Sequence, residues 1–384
     1  MGSPSLGRVL RTLAIENYRS LRHLVLPLSP LTVVTGANGA GKSSLYKALR
    51  LLADASRNGA VAALAREGGL TSTLWAGPDG KVVPGRRVEG TVRTKPVGLR
   101  LGFGGDEYGY ALDLGLPIPG KTKFNLDPEF KREALWTGPV LKKSTLLAER
   151  QANVVLARDD RGVWSGPTRL RLTDSMLSEL AEPEVLLLRE RIRSWRFYDQ
   201  FRTDRDAPAR TARIGTRTTV LDHDGADLPA ALQTIVEIGA ADDLDEAVAD
   251  AFPGARVEVV DQGGRFGLRF HQHGLLRGLD AAELSDGTLR FLLWVAALLT
   301  PRPPELLVLN EPETSLHPDL LPPLAKLIAT AAQHSQIVVV THAAPLVDAL
   351  GAAAGVLTLV KEASTTVLQG QGRLDQPSWH WPER

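Results

Sequence analysis

Residues 31–44 read LTVVTGANGAGKSS, and this stretch decides the fold. LTVVT is apolar and β-branched, the composition of a buried strand. GANGAGKS, Gly36 to Ser43, matches the pattern G-x-x-x-x-G-K-[ST]. Its glycines let the backbone turn tightly, so that several N–H groups point inward at a phosphate. The helix expected from about Lys42 to Ala53 adds the partial positive charge of its N-terminus. Gly36, Asn38, Gly39, Ala40, Gly41 and Ser44 would line the phosphates. Lys42 would reach the β/γ-phosphates and the Ser43 hydroxyl would ligate magnesium. The loop is therefore expected to hold the phosphates of a nucleotide together with Mg2+. A Gly-rich turn matching by chance is the bland alternative; the strand before it and the helix after it argue against that.

Upstream, RVLRTLAIENY and RHLVLPL read as two strands. Downstream, from about residue 80 to 115, alternating segments such as YGYALDLGL predict antiparallel strands. Residues 120–255 mix polar loops with two expected helices, LTDSMLSELA and EVLLLRERIRSWRFYDQ. ARVEVVDQGGRFGLRFHQ predicts a hairpin turning at Gly-Gly. From Asp280 onward helices and strands alternate, the pattern of a mostly parallel sheet with covering helices. The expected organisation is thus 1–60 (strands and P-loop), 61–118 (antiparallel β), 119–254 (a mixed, largely helical insertion) and 255–384 (the C-terminal α/β half of the P-loop domain).

Composition narrows the class. The 384 residues carry a net charge of +1, so any nucleic-acid site must be local. There is no cysteine, which excludes disulfides and cysteine-ligated zinc. No apolar run reaches the about eighteen residues of a membrane span. The N-terminus lacks the apolar core of a signal peptide, and a cytoplasmic location is expected.

Three further segments carry chemistry. LLVLNEPETSLHP (306–318) is an apolar strand ending in Asn310-Glu311. A carboxylate there is unlike packing filler, since Glu is rarely buried unpaired, and Glu311 is the candidate that polarises an attacking water. In VVVTHAAP, His342 follows the next strand and could donate to a γ-phosphate. In ELSDGTLRFLLWVAALL, Ser285-Asp286-Gly287 starts an apolar helix. Ser and Asp are good helix caps. The position just upstream of LLVLNE favours a second role, with Ser285 and Gly287 offering hydroxyl and backbone N–H to a nucleotide held by another subunit.

Together, GANGAGKSS, LSDGT, LLVLNEPETSLHP and VTHA resemble the P-loop, signature, acidic strand, D-loop and switch histidine of the ABC-type ATPases. The opening IENYRSLRHLVLPLSPLTVVTGANGAGKS resembles the branch that holds the SMC and RecF heads. The chain looks most like bacterial ATPases of the AAA_21 (RecF/OLD-like) type. The resemblance implies an α/β P-loop NTPase fold of ABC/SMC-head type, with a mixed sheet, an antiparallel β region and a helical insertion. It implies a homodimer closed head to tail by two ATP molecules. Gly36 to Ser44 of one subunit would face Ser285 and Gly287 of the other, with the D-loop Thr314 to His317 across the interface. Hydrolysis would open the pair.

Several features depart from that pattern. Asn310 stands where many relatives carry Asp, which holds a magnesium-bound water. An amide oxygen accepts the same hydrogen bond without the charge, so weakened metal binding and slow hydrolysis are expected. A magnesium-contacting Gln is not evident; Gln151 and Gln200 are the only glutamines between the P-loop and residue 230, and neither stands in a convincing context. No long coiled coil interrupts the chain, and the stretch after His342 is too short for a Toprim nuclease domain. Any nuclease or effector would be a separate partner.

Residues 188–219 hold nine Arg against four acids, interleaved with Trp195, Phe197, Tyr198 and Phe201. Such a set can grip duplex DNA, or it can be a helix with aromatics in the core and arginines in ion pairs. Arg19 carries the same ambiguity. Three functions compete: a DNA-associated ATPase in repair or anti-phage defence, an ATP-gated switch for a partner effector, and a transporter ATPase. The absent membrane segment and the SDGT signature weigh against the last.

Overall fold

The computed structural model describes residues 10–77, 97–159, 161–199, 201–372 and 374–383. Two compact units make up the chain. The first comprises Met1–Ser29, Val34–Trp195 and Leu357–Arg384, the second Pro30–Val33 and Arg196–Val356.

The first unit is built on an eight-stranded antiparallel sheet. Its spatial order is Leu21–Pro27, Thr12–Tyr18, Leu99–Gly104, Tyr108–Gly115, Glu129–Thr137, Leu146–Gln151, Val154–Ala157 and Thr168–Arg169. The sheet therefore runs well past residue 118. The region expected to be largely helical contributes four strands before its first helix, Met176–Glu179. EFKREALWT and LLAERQ pair antiparallel, Ala134 opposite Glu149, with a register shift between Leu135 and Trp136, and strands this polar escape a search for apolar periodicity. A buried ion pair ties them together. Arg150 and Glu133, both 0% exposed, meet at 2.9 Å. The Glu133 carboxylate also accepts from the Tyr110 hydroxyl (2.6 Å), the Ser175 hydroxyl (2.6 Å) and the Met176 N–H (2.9 Å). A buried charge is tolerated when its lone pairs are filled in this way. Burial, then the neighbouring Glu133 charge, pushes the Tyr110 phenol well up. The P-loop helix Lys42–Ala55 also belongs to this unit. It buries Leu45, Ala48, Leu49 and Leu52 on one face, the i, i+3, i+4, i+7 stripe of an amphipathic helix.

The second unit holds parallel strands Arg196–Tyr198, Leu306–Asn310 and Gln336–Val340 in that order. The Ile337 N–H donates to the Pro30 carbonyl at 2.8 Å on the far side. LLVL of Leu306–Asn310 and IVVV of Gln336–Val340 are apolar throughout because both faces are buried. Helices Leu228–Glu237, Ala241–Ala251, Asp286–Leu298 and Leu321–Ala331 cover them. The core includes Phe201, Phe291, Trp294 and Ile328. The expected hairpin is present, Arg256–Gln262 against Arg265–His271. Its turn residues Gly263 and Gly264 have φ of 66° and 85°, the mirror-image turn that glycine permits.

One expected helix is shorter than its sequence pattern. EVLLLRERIRSWRFYDQ is helical only over Pro183–Ser194. Arg196–Tyr198 then becomes a strand, Phe197 beside Val308 and Tyr198 beside Leu309. The aromatic run has strand propensity, and pairing with a buried strand decides the outcome. Arg8, Val9, residues 80–96 and Gln200 lie outside the described residues.

Candidate functional site

The strand Leu31–Thr35 leads into the loop Gly36–Gly41 and the helix from Lys42, loop and helix lying in the first unit. Two glycines are sterically required. Gly36 has φ 146°, and a Cβ there would sit 2.2 Å from the Leu359 carbonyl oxygen. Gly41 has φ 108°, and its Cβ would lie 2.4 Å from Thr366 Oγ1 and 3.1 Å from Ser20 Oγ. Those hydroxyls form a brace. Thr366 Oγ1 bonds the Ala40 carbonyl and Ser20 Oγ, both at 2.8 Å, and the Thr366 N–H donates to the Ser20 carbonyl at 2.9 Å. The brace was missed in the sequence, where neither residue sits in a motif. Lys42, 6% exposed, donates to the Gly36 and Ala37 carbonyls at 2.7 and 3.2 Å. Asn38, Gly39 and Ser43 are exposed, Ser44 half-buried. The first N–H groups of the helix have no intrahelical partner, so the loop presents backbone donors and one ammonium to an anion. Arg19 is accounted for by protein: it pairs with Glu67 at 2.6 Å, which also accepts from the Tyr18 hydroxyl at 2.8 Å.

In the second unit Asn310, Glu311 and His342 come together with two carboxylates not singled out beforehand. Glu311 ends its buried strand at φ 48°. That left-handed conformation costs a residue other than glycine of the order of 1–3 kcal/mol and recurs at functional sites. Its carboxylate is 41% exposed and lies 3.4 Å from His342 Nδ1. The same Nδ1 is 3.4 Å from Glu313. Glu313 is buried and accepts from Thr341 Oγ1 at 2.6 Å and the His342 N–H at 3.2 Å. Glu313 thus fixes the turn that carries His342; its place two residues after Glu311 was the available signal. Asn310 Nδ2 donates to Asp199 at 2.8 Å, while Asn310 Oδ1 is buried with no hydrogen-bond partner. Asp199 follows the strand Arg196–Tyr198, which sequence patterning reads as helix.

The signature segment is both cap and anchor. Ser285 Oγ accepts from the Thr288 N–H at 3.1 Å, so the capping role is realised, yet Ser285 stays exposed. A Cβ on Gly287 would lie 3.3 Å from the Ser315 carbonyl. Arg290, 6% exposed, donates to the Thr314 carbonyl at 2.6 Å and the Phe201 carbonyl at 2.9 Å. Trp294 Nε1 donates to the Pro312 carbonyl at 3.0 Å. The helix beginning at Asp286 and the D-loop Thr314 to His317 are one tied assembly. Arg210 holds its start, donating to the Leu284 carbonyl at 2.8 Å and the Asp286 carboxylate at 2.7 Å.

Residues 188–219, left open between a grip on DNA and aromatics in the core with arginines in ion pairs, place three of their aromatics inside. Trp195, Tyr198 and Phe201 are at most 2% exposed, and Phe201 packs on Trp294 with centroids 4.9 Å apart. Arginines of the segment serve protein groups: Arg189 the Ser178 carbonyl (2.9 Å), Arg191 Glu107 (2.7 Å), Arg217 Glu237 (3.1 Å). Among the described residues no helix is long and apolar enough to cross a membrane.

The fold is that of a P-loop NTPase of ABC/SMC-head type. Residues 31–348 match the family described as "AAA domain, putative AbiEii toxin, Type IV TA system", and the chain belongs to this AAA_21 family. A 44-residue stretch is 43% identical to an OLD nuclease of Thermus scotoductus, covering 12% of this chain and only 8% of that protein. The crystal structure of an SMC head bound to the C-winged helix domain of ScpA aligns over 94% of this chain and 97% of its own, with TM-score 0.52 and 12% identity. At that identity the likeness is one of fold.

Proposed function

We propose that the chain binds ATP with magnesium and hydrolyses it slowly, the nucleotide drawing two subunits together head to tail. The observation that supports this most is Glu311: a half-exposed carboxylate ending a buried strand, strained to φ 48° and 3.4 Å from a histidine nitrogen. In this reading Gly36 to Ser44 bind the phosphates and Lys42 pairs with the β/γ-phosphates. Glu311 orients the water and accepts its proton. His342, steadied by Glu313, donates to the γ-phosphate. Ser285 and Gly287 serve the nucleotide of the second subunit.

Magnesium fits the residues present. Ser43 is an exposed hydroxyl at the helix start, and the unpartnered Asn310 Oδ1 is an acceptor that a metal-bound water would satisfy. Bound magnesium would offset the charge of the phosphates in the transition state. Among the described residues no group of three or more His, Cys, Asp or Glu forms a metal cage, and magnesium in nucleotide sites is commonly held by few protein groups and several waters.

The test is steady-state ATP turnover with magnesium, with and without duplex DNA, against Glu311→Gln. Turnover above that variant supports hydrolysis at this site, and a rise with DNA supports a repair or defence setting, which otherwise rests on the OLD nuclease likeness. Wild type no faster than the variant would overturn the hydrolase reading. It would favour the second reading, an ATP-gated switch for a partner effector, for which the uncharged Asn310 amide argues.

A further inference from the structure

Asn310 has an amide where a carboxylate would bring charge, and an amide has two ends. Only its oxygen can accept from a metal-bound water; turned over, it would present N–H donors instead. Something must therefore hold the orientation, and the fold contains it. The parallel pairing sets Tyr198 beside Leu309, so the next residues along, Asp199 and Asn310, are neighbours. Asn310 Nδ2 donates to Asp199 Oδ1 at 2.8 Å. A carboxylate only accepts, so the opposite orientation would press two acceptors together. The amide nitrogen is thereby fixed on Asp199, and Oδ1 is left buried with no partner of its own. Asp199 itself is exposed, so its negative charge remains available to a nearby cation.

We propose that Asp199 is a positioning residue for magnesium. It locks the Asn310 amide with its oxygen free to accept and returns to the site the negative charge that Asn310 lacks. Asp199 and Asn310 act as one divided acid: the oxygen comes from one residue and the charge from the other. The inference rests on the ATP-binding reading, and it names Asp199 as the residue through which the metal requirement is set.

The test measures binding, so that turnover is not needed. A fluorescent ATP analogue is titrated onto the full chain in the Glu311→Gln background, first in EDTA and then across a magnesium series. Asp199→Asn is expected to raise the magnesium concentration for half-maximal binding by about 10–100-fold, the usual effect of removing a group that orients a metal ligand. Binding in EDTA should not change. The exchange Asp199→Asn with Asn310→Asp restores one amide and one carboxylate in contact, and should bring the magnesium requirement back close to that of the parent. A purely structural role for Asp199 would shift binding with and without magnesium alike, and would overturn the proposal. So would an exchange variant no better than Asp199→Asn alone. A parent protein that binds no analogue in either condition would instead sink the ATP reading itself, a distinct result.

Discussion

The two halves of the chemistry are built in opposite ways. The phosphate loop is local: one continuous run from Gly36 to Ser44, its shape set by glycines whose missing side chains leave room for the Leu359 carbonyl and the Thr366 hydroxyl. The acidic end is dispersed. Asp199, Asn310, Glu311, Glu313 and His342 reach it from three separate segments, and hydrogen bonds hold them there. A local site is enforced by backbone sterics and fails all at once. A dispersed site is enforced by side-chain contacts and should weaken by degrees.

The largest break is expected at the loop. Gly36→Val drives a side chain into the Leu359 carbonyl at a φ of 146°, which costs about 2–5 kcal/mol. Nucleotide binding by equilibrium titration should vanish, and the melting temperature should fall. Next comes Glu311→Gln, expected to lower turnover by about 10²–10⁴-fold while binding survives; a parallel loss of binding would show that Glu311 shapes the site rather than acts in it. A smaller effect is expected of Thr341→Val. It removes the 2.6 Å donor to the buried Glu313, an exposure to unmet polarity of about 1–3 kcal/mol, read by denaturant unfolding, with turnover reduced less than by Glu311→Gln. Thr366→Val deletes the hydroxyl bonded to Ala40 and Ser20. At about 1 kcal/mol for the lost bonds, ATP affinity should drop roughly fivefold. A much larger drop would mean that the brace, and not glycine alone, sets the loop. Least of all, Arg202→Ala, at an exposed pair with Asp204, should leave melting and duplex-DNA retention unchanged.

The same contrast explains what could be read from the amino acids alone. Gly36 to Ser44, the helix from Lys42 and the hairpin at Gly263-Gly264 are each set by residues adjacent in the chain. Asn310, Glu311 and His342 could be singled out because each stands at or just after the end of an unmistakable apolar strand. Asp199 was not. Its strand is three residues long, continues a helical pattern, and exists because Leu306–Asn310 lies beside it. The aromatics Trp195, Tyr198 and Phe201 stayed ambiguous for the same reason: spacing cannot tell a ring aimed at a base from one aimed at the core. Ser20 and Thr366 were invisible because their partnership spans 346 positions.

That span has a consequence for how the molecule is made. Ser20, the glycines and Lys42 are synthesised early, Thr366 near the end of the described chain. At about 5–20 residues per second of translation, the interval between Lys42 and Thr366 lasts tens of seconds. During it the loop has its glycines and no brace. The phosphate loop is therefore among the last features to take its final shape, and under the proposed function tight ATP binding would mark chains whose synthesis has passed Thr366.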